Sequence, residues 1–221
     1  MERVTDRDLE ELRALAIRMG GLGQAILSKS LQSVWKHDVE LAREVKLDDL
    51  EIDRLDVEID ESILRLLALR APVARDLRSV LAVKSLATDL ERVGDLARNI
   101  AEIGVRLAGL SDVVVPASLR NLAEESRRLL RNSLDAFAAM DTDIARRVIA
   151  DDDRVDDGEA LVQAESLRRI PDHPEDAIKE VDFMFIASSL ERVGDHATNI
   201  AEDVIMVAEA VNLKHAGKLG R

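Results

Sequence analysis

Two sets of acidic residues in this chain are spaced to hold a hard metal cation. Residues 87–102 read ATDLERVGDLARNIAE and residues 187–202 read ASSLERVGDHATNIAE, with twelve of the sixteen positions identical at a constant offset of 100. Glu91, Asp95, Asn99 and Glu102 return as Glu191, Asp195, Asn199 and Glu202. Amphipathic packing does not require identity at polar positions, because a helix keeps its solvent face polar with almost any mixture of Glu, Lys, Arg and Gln. A second acidic pattern recurs at an offset of 103, where Asp49 and Asp53 become Asp152 and Asp156. Each half therefore carries two pairs of the form acidic-x-x-x-Asp. Like charges four apart destabilise a helix by about 0.2–0.5 kcal/mol per pair. Four such pairs, placed alike in both halves, point to a use. Carboxylate oxygens and an Asn amide suit hard cations, and with no cysteine in the chain thiolate ligands are excluded. The expectation is a multidentate site for Mg²⁺, Mn²⁺, Fe or Zn²⁺, made by Asp49, Asp53, Glu91, Asp95 and Asn99 and again by Asp152, Asp156, Glu191, Asp195 and Asn199.

The elements that position these residues are helices. On a helix, Glu91, Asp95, Asn99 and Glu102 fall within an arc of about 80°. Leu86, Leu90, Val93, Ala97, Ile100 and Leu107 lie roughly opposite, which makes the acidic face an outer one. Apolar periodicity predicts a first helix over residues 6–36, where Gly20, Gly21 and Gly23 either loosen the helix or admit a close neighbour. A second helix runs from an Asp38 N-cap to about Leu69, a break follows at Pro72, and a third helix spans Val73 to about Leu107. Ser111-Asp112, Val113–Val115 and Pro116 mark the boundary between halves. The plan then repeats: Asp38, Ala42, Arg43, Val45 and Asp48 return as Asp141, Ala145, Arg146, Val148 and Asp151, and Ser30 and Leu31 as Ser133 and Leu134. A turn containing Pro171 and Pro174 is three residues shorter than its counterpart. The fold expected is all-α, with two pseudo-symmetric antiparallel three-helix bundles of six helices in all, over residues 1–110 and 111–221. Lys214–Arg221 reads as a frayed basic tail.

Composition agrees. Of 221 residues, 47% are hydrophobic but only 2% aromatic, 34% are charged, and four are proline, a helical-bundle profile. A net charge of −13 argues against nucleic acid and leaves room for cations or a basic protein partner. No secretory leader or membrane span is evident, so a cytoplasmic chain is expected. Arg92 and Arg192 read as ion-pair partners for carboxylates on the neighbouring helix. Gly94 and Gly194, unfavourable inside a helix, read as close helix crossings. The histidines carry little: His37 and His173 fall in turns, His215 in the tail, and His196 is matched by Leu96. Trp35 is expected to pack at the turn after the first helix. No phosphate-binding loop, Glu-x-x-His signature or Ser/His/Asp arrangement with supporting context is present.

LERVGDLARNIAE and LERVGDHATNIAE, with Asp49-x-x-x-Asp53 and Asp152-x-x-x-Asp156, resemble the signature segments of the PhoU family of phosphate-uptake regulators. The resemblance covers almost the whole chain. It implies two three-helix repeats, often as a homodimer, with metal ions at the acidic motifs and no catalysis. It also implies a negative regulator of phosphate uptake and phosphate-starvation signalling. Such a protein links a phosphate ABC transporter, through its ATPase, to a sensor histidine kinase, and meets the membrane through partners only. Leu96 and Arg98 depart from the family pattern, which commonly has histidine at the first position and a small or polar residue at the second. The alternatives are a metal-dependent phosphohydrolase, disfavoured by the lack of an obvious general acid or lid, and a metal-free dimerisation scaffold.

Overall fold

A computed structural model describes residues 4–211, with side chains from Arg7 onward, so His215 and the tail expected at Lys214–Arg221 lie outside the described residues. Helix α1 spans Val4–Lys36, α2 Val39–Arg70 and α3 Arg75–Ala108. Residues 109–116 then lead to α4 (Ala117–Ala139), α5 (Thr142–Asp151), α6 (Asp153–Asp172), a short 3₁₀ turn at Pro174–Asp176, and α7 (Ala177–Glu209). Helices α5 and α6 together repeat α2. The chain departs from a regular helix at Asp152, where the Val155 amide reaches back to the Asp152 carbonyl at 2.8 Å, but Asp152 keeps a right-handed helical backbone. The second half is thus a three-helix bundle whose middle helix is interrupted at an acidic residue.

Turn chemistry explains why the helices start where they do. His37 and Met140 occupy equivalent positions and adopt left-handed φ values of 53° and 51°. Asp38 and Asp141 follow and cap the next helices. Asp38 accepts from the Leu41 amide at 2.9 Å, and Asp141 from the Asp143 and Ile144 amides at 2.9 and 3.0 Å. Helix α3 begins at Arg75, two residues later than its periodicity predicts, because Ala71 and Ala74 turn the chain with φ values of 44° and 51° around Pro72. Pro171 sits in the last turn of α6 and leaves the reversal to His173-Pro174. Only one helical hydrogen bond is lost there, at an end where the ladder is finishing.

In the first half α1, α2 and α3 pack on one another, and in the second α4, α5–α6 and α7 do the same. Within each half the successive helices run antiparallel, with α5–α6 counting as one, since the connections between them are short. The halves join along α3 and α7, with a smaller contact between α1 and α4. One continuous set of buried Leu, Ile, Val and Ala runs through both. Close crossings depend on glycine. A Cβ on Gly20 would lie 2.8 Å from Leu134 of α4, and one on Gly23 3.2 Å from Leu90 of α3, while Gly21 faces open space. Trp35 ends α1 as expected, and the Arg120 guanidinium of α4 lies 4.8 Å above its ring. No described helix is long and apolar enough to cross a membrane.

Candidate metal centre

The first acidic cluster is built where α2 crosses α3. Gly94 makes this crossing possible: a Cβ there would stand 2.6 Å from Asp49 Oδ1 and 3.3 Å from Ile52 Cδ1. Without that Cβ, α3 lies close enough to cover Asp49 of α2, which is only 3% exposed. Gly194 does the same for the second half, where a Cβ would meet Val155 at 3.1 Å and Asp152 Oδ1 at 3.4 Å. The glycines serve packing, as their position predicts, and packing sets the acidic pairs side by side.

Asp49, Asp53, Glu91 and Asp95 are brought together in the first half. Burial raises the Asp49 carboxyl pKa, Arg98 opposes the shift, and Asp53 and Asp95 add to it. Glu91 is raised by burial and by Asp95, with Arg92 opposing. A cationic side chain already sits among them. Arg98 donates from Nη1 to Asp49 Oδ2 and from Nη2 to Asp95 Oδ1, both at 2.6 Å. It thereby ties α3 to α2. A second cation, Lys84, reaches Asp60 at 2.6 Å and Asp56 at 3.3 Å along the same pair of helices. Arg92, expected to pair with the neighbouring helix, instead pairs with Glu91 and Asp95 on its own helix, at 3.3 and 3.4 Å. Its direction on α3 points it away from the crossing at Gly94, whereas Arg98, one turn beyond Gly94, faces α2.

The second half assembles Asp152, Asp156, Glu191 and Asp195 in the same relation, and Glu159 joins them. Among the described residues, no Lys or Arg counters these acids as Arg98 does in the first half. Asp152 is raised by burial, the nearby Thr198 hydroxyl opposes the shift, and Asp156 and Asp195 add to it. Asp156 is raised by burial and then by Asp195. Glu191 is pushed up to about 7 by burial and then by Asp195, Glu159, Asp156 and Asp152. The sequence explains the contrast, since Thr198 stands where the first half has Arg98, and Met184 where it has Lys84. Glu159 is the counterpart of Asp56. It escapes the repeat pattern because the two positions hold different acids.

Asn99 and Asn199, expected among the ligands, are placed toward the seam between the halves. Asn99 lines a groove with Phe185, Ser189 and Arg192 of α7. Asn199 donates to Asp89 of α3 at 3.3 Å, beside a 2.8 Å contact between His196 Nδ1 and Asp89. On a helix, position 99 lies about 140° around from position 94, the side that meets α2, which turns it away from the crossing. Among the described residues, no three His, Asp or Glu side chains converge closely enough to hold a metal ion. A cation at the second cluster would have to draw its carboxylates inward by side-chain rotation. The donor chemistry there fits a hard cation. In the first half it does not, because a guanidinium lies between the two carboxylates a cation would bridge.

Glu191 gives a pH signature. An isolated glutamate releases its proton near 4.5, the folded one near 7. Between these values the unfolded chain deprotonates and the folded chain does not, so the contribution of Glu191 to stability falls as pH rises through this window and stays low above it. In chelator, Glu191→Gln is expected to match the parent near pH 4 and to exceed it at pH 8. The gain should be on the order of 1 kcal/mol, discounted for solvent screening around a partly exposed side chain. Urea denaturation at both pH values measures it, and an equal gain at both would show that the effect is not ionic.

Comparison with known proteins places these features. The PhoU domain model matches residues 16–104 and 119–204, once in each half. A phosphate-specific transport system accessory protein PhoU homolog of Aquifex aeolicus is 34% identical over 209 residues, covering 95% of each chain. The PhoU accessory protein of Escherichia coli is 34% identical over 149 residues, covering 67% of this chain and 62% of its own length. The crystal structure of PhoU from Pseudomonas aeruginosa superposes with a TM-score of 0.90 at 30% identity, covering 93% of this chain and 99% of that one.

Proposed function

The chain belongs to the PhoU family, and from that premise we propose that it is an accessory regulator of phosphate transport. In this reading it is a cytoplasmic negative regulator that holds phosphate uptake and the phosphate-starvation response down while phosphate is plentiful. It links the ATPase of a phosphate ABC transporter to a sensor histidine kinase, acts as a homodimer, and meets the membrane only through these partners. The observation that carries the reading is the match of both halves to the family, together with relatives named as accessory proteins of phosphate-specific transport. A net charge of −13 suits docking on basic protein surfaces, with an association rate that falls as salt is raised.

The second acidic cluster is the cation site in this reading. Asp152, Asp156, Glu191 and Asp195 would hold a divalent ion, whose charge would offset the burial and mutual repulsion that lift Glu191 and would stabilise the fold with the logarithm of ion concentration above its Kd. These carboxylates are partly open to water, without the dry preorganised surroundings that strong electrostatic catalysis needs, which supports regulation over hydrolysis. Deleting the chain from its host should leave phosphate-starvation genes expressed in phosphate-rich medium, measured with a promoter reporter. Normal repression in the deletion strain would reject the regulatory reading.

A further inference from the structure

Repeated sites in one chain invite the assumption that they work alike, and the charges here do not. In the first half Arg98 bridges Asp49 and Asp95 at 2.6 Å each, and Lys84 bridges Asp56 and Asp60. In the second half the same positions hold Thr198 and Met184, which carry no charge. Asp49, almost fully buried, has its carboxylate answered by the guanidinium alone among the ion pairs across this crossing. A metal ion bridging Asp49 and Asp95 would occupy the same space as that guanidinium and would face its positive charge at contact distance.

We propose that Arg98 is a built-in counter-cation that takes the place of a metal ion in the first half and closes that site to divalent cations. Asp49 is buried beneath α3, and Arg98 makes two charge-assisted hydrogen bonds in a forked geometry, one to Asp49 and one to Asp95, which lysine cannot reproduce. Coulomb repulsion from the fixed guanidinium then opposes entry of a second cation. The inference rests on the reading above only in treating these acidic clusters as cation sites. It departs from that reading in making the halves unequal, so that cation control operates through α5–α6 and α7 while α2 and α3 are locked by a permanent internal charge.

Mn²⁺ binding to the full chain, freed of metal by chelator and followed by electron paramagnetic resonance or calorimetry, tests the proposal. Arg98→Thr, which gives the first half the residue found in the second, should bind one more equivalent of Mn²⁺ per chain than the parent. Mn²⁺ should also raise its melting temperature more than the parent's, while Arg98→Lys gains nothing. Circular dichroism confirms that the variant is folded. If it is not, Thr198→Arg decides the matter from the other half, by losing the Mn²⁺ that the parent binds. Two equivalents bound by the parent, no gain in folded Arg98→Thr, or undiminished binding in Thr198→Arg would each overturn the proposal. A parent that binds none, with Arg98→Thr binding one, would uphold the role of Arg98 and reject the second cluster as a cation site.

Discussion

Gly94→Leu is expected to lower the unfolding free energy by about 3 kcal/mol, the upper part of the range for forcing extra atoms into a packed site. The first added carbon alone would stand 2.6 Å from Asp49 Oδ1, and neither neighbour can yield cheaply. Asp49 is held by Arg98, and Ile52 is fully buried. The higher helix propensity of leucine returns less than about 1 kcal/mol. Gly194→Leu should cost less, because the same first carbon meets Val155 at 3.1 Å and Asp152 only at 3.4 Å. Urea denaturation of the two variants checks the order. A Gly94→Leu protein as stable as the parent would mean that α2 does not lie where the structure puts it.

Arg106→Ala is expected to cost about 2 kcal/mol, less than the 3–5 typical of breaking a fully buried pair because half of the arginine side chain reaches solvent. Its guanidinium is bonded to Asp182 Oδ1 across the α3–α7 seam, and Asp182 is buried with its other oxygen lacking a hydrogen-bond partner. Removing the arginine leaves that carboxylate without its counter-charge. Adding Asp182→Ala to the variant should therefore recover part of the loss, a non-additivity that a merely exposed pair would not show. The tie exists once only, since Met206 and Ala82 stand at the equivalent positions. Independent, additive effects would show that the pair contributes little to joining the halves.

The helices were legible because their signals are local. Apolar periodicity, the Asp38 cap and the Pro72 break act within a few residues, and the repeat doubles each of them. The glycine crossings were legible for the same reason, as Gly94 and Gly194 have no helical justification except close approach. What escaped was contact across helices at positions where the copies differ. Repeat comparison draws the eye to Arg92 and Arg192, which are shared, yet Arg92 pairs only along its own helix, and the cation that matters to Asp49 is the unshared Arg98. A signal for it was present in the spacing: Arg98 lies four residues past Gly94, one turn along the face that meets α2. Asn99 and Asn199 meet the other half for the complementary reason. Identity in both copies marked them as important, but it does not say which neighbouring helix they meet, and here that neighbour lies across the seam.

Anomalous diffraction from crystals grown with Mn²⁺ tests the central claim most directly, because it locates the ion without reference to stability or stoichiometry. The charge distribution predicts a single strong peak among Asp152, Asp156, Glu191 and Asp195, with those carboxylates drawn inward, and none between Asp49 and Asp95, where the Arg98 guanidinium remains in place. A peak between Asp49 and Asp95 with Arg98 displaced, or no peak at the second cluster at saturating Mn²⁺, would contradict it.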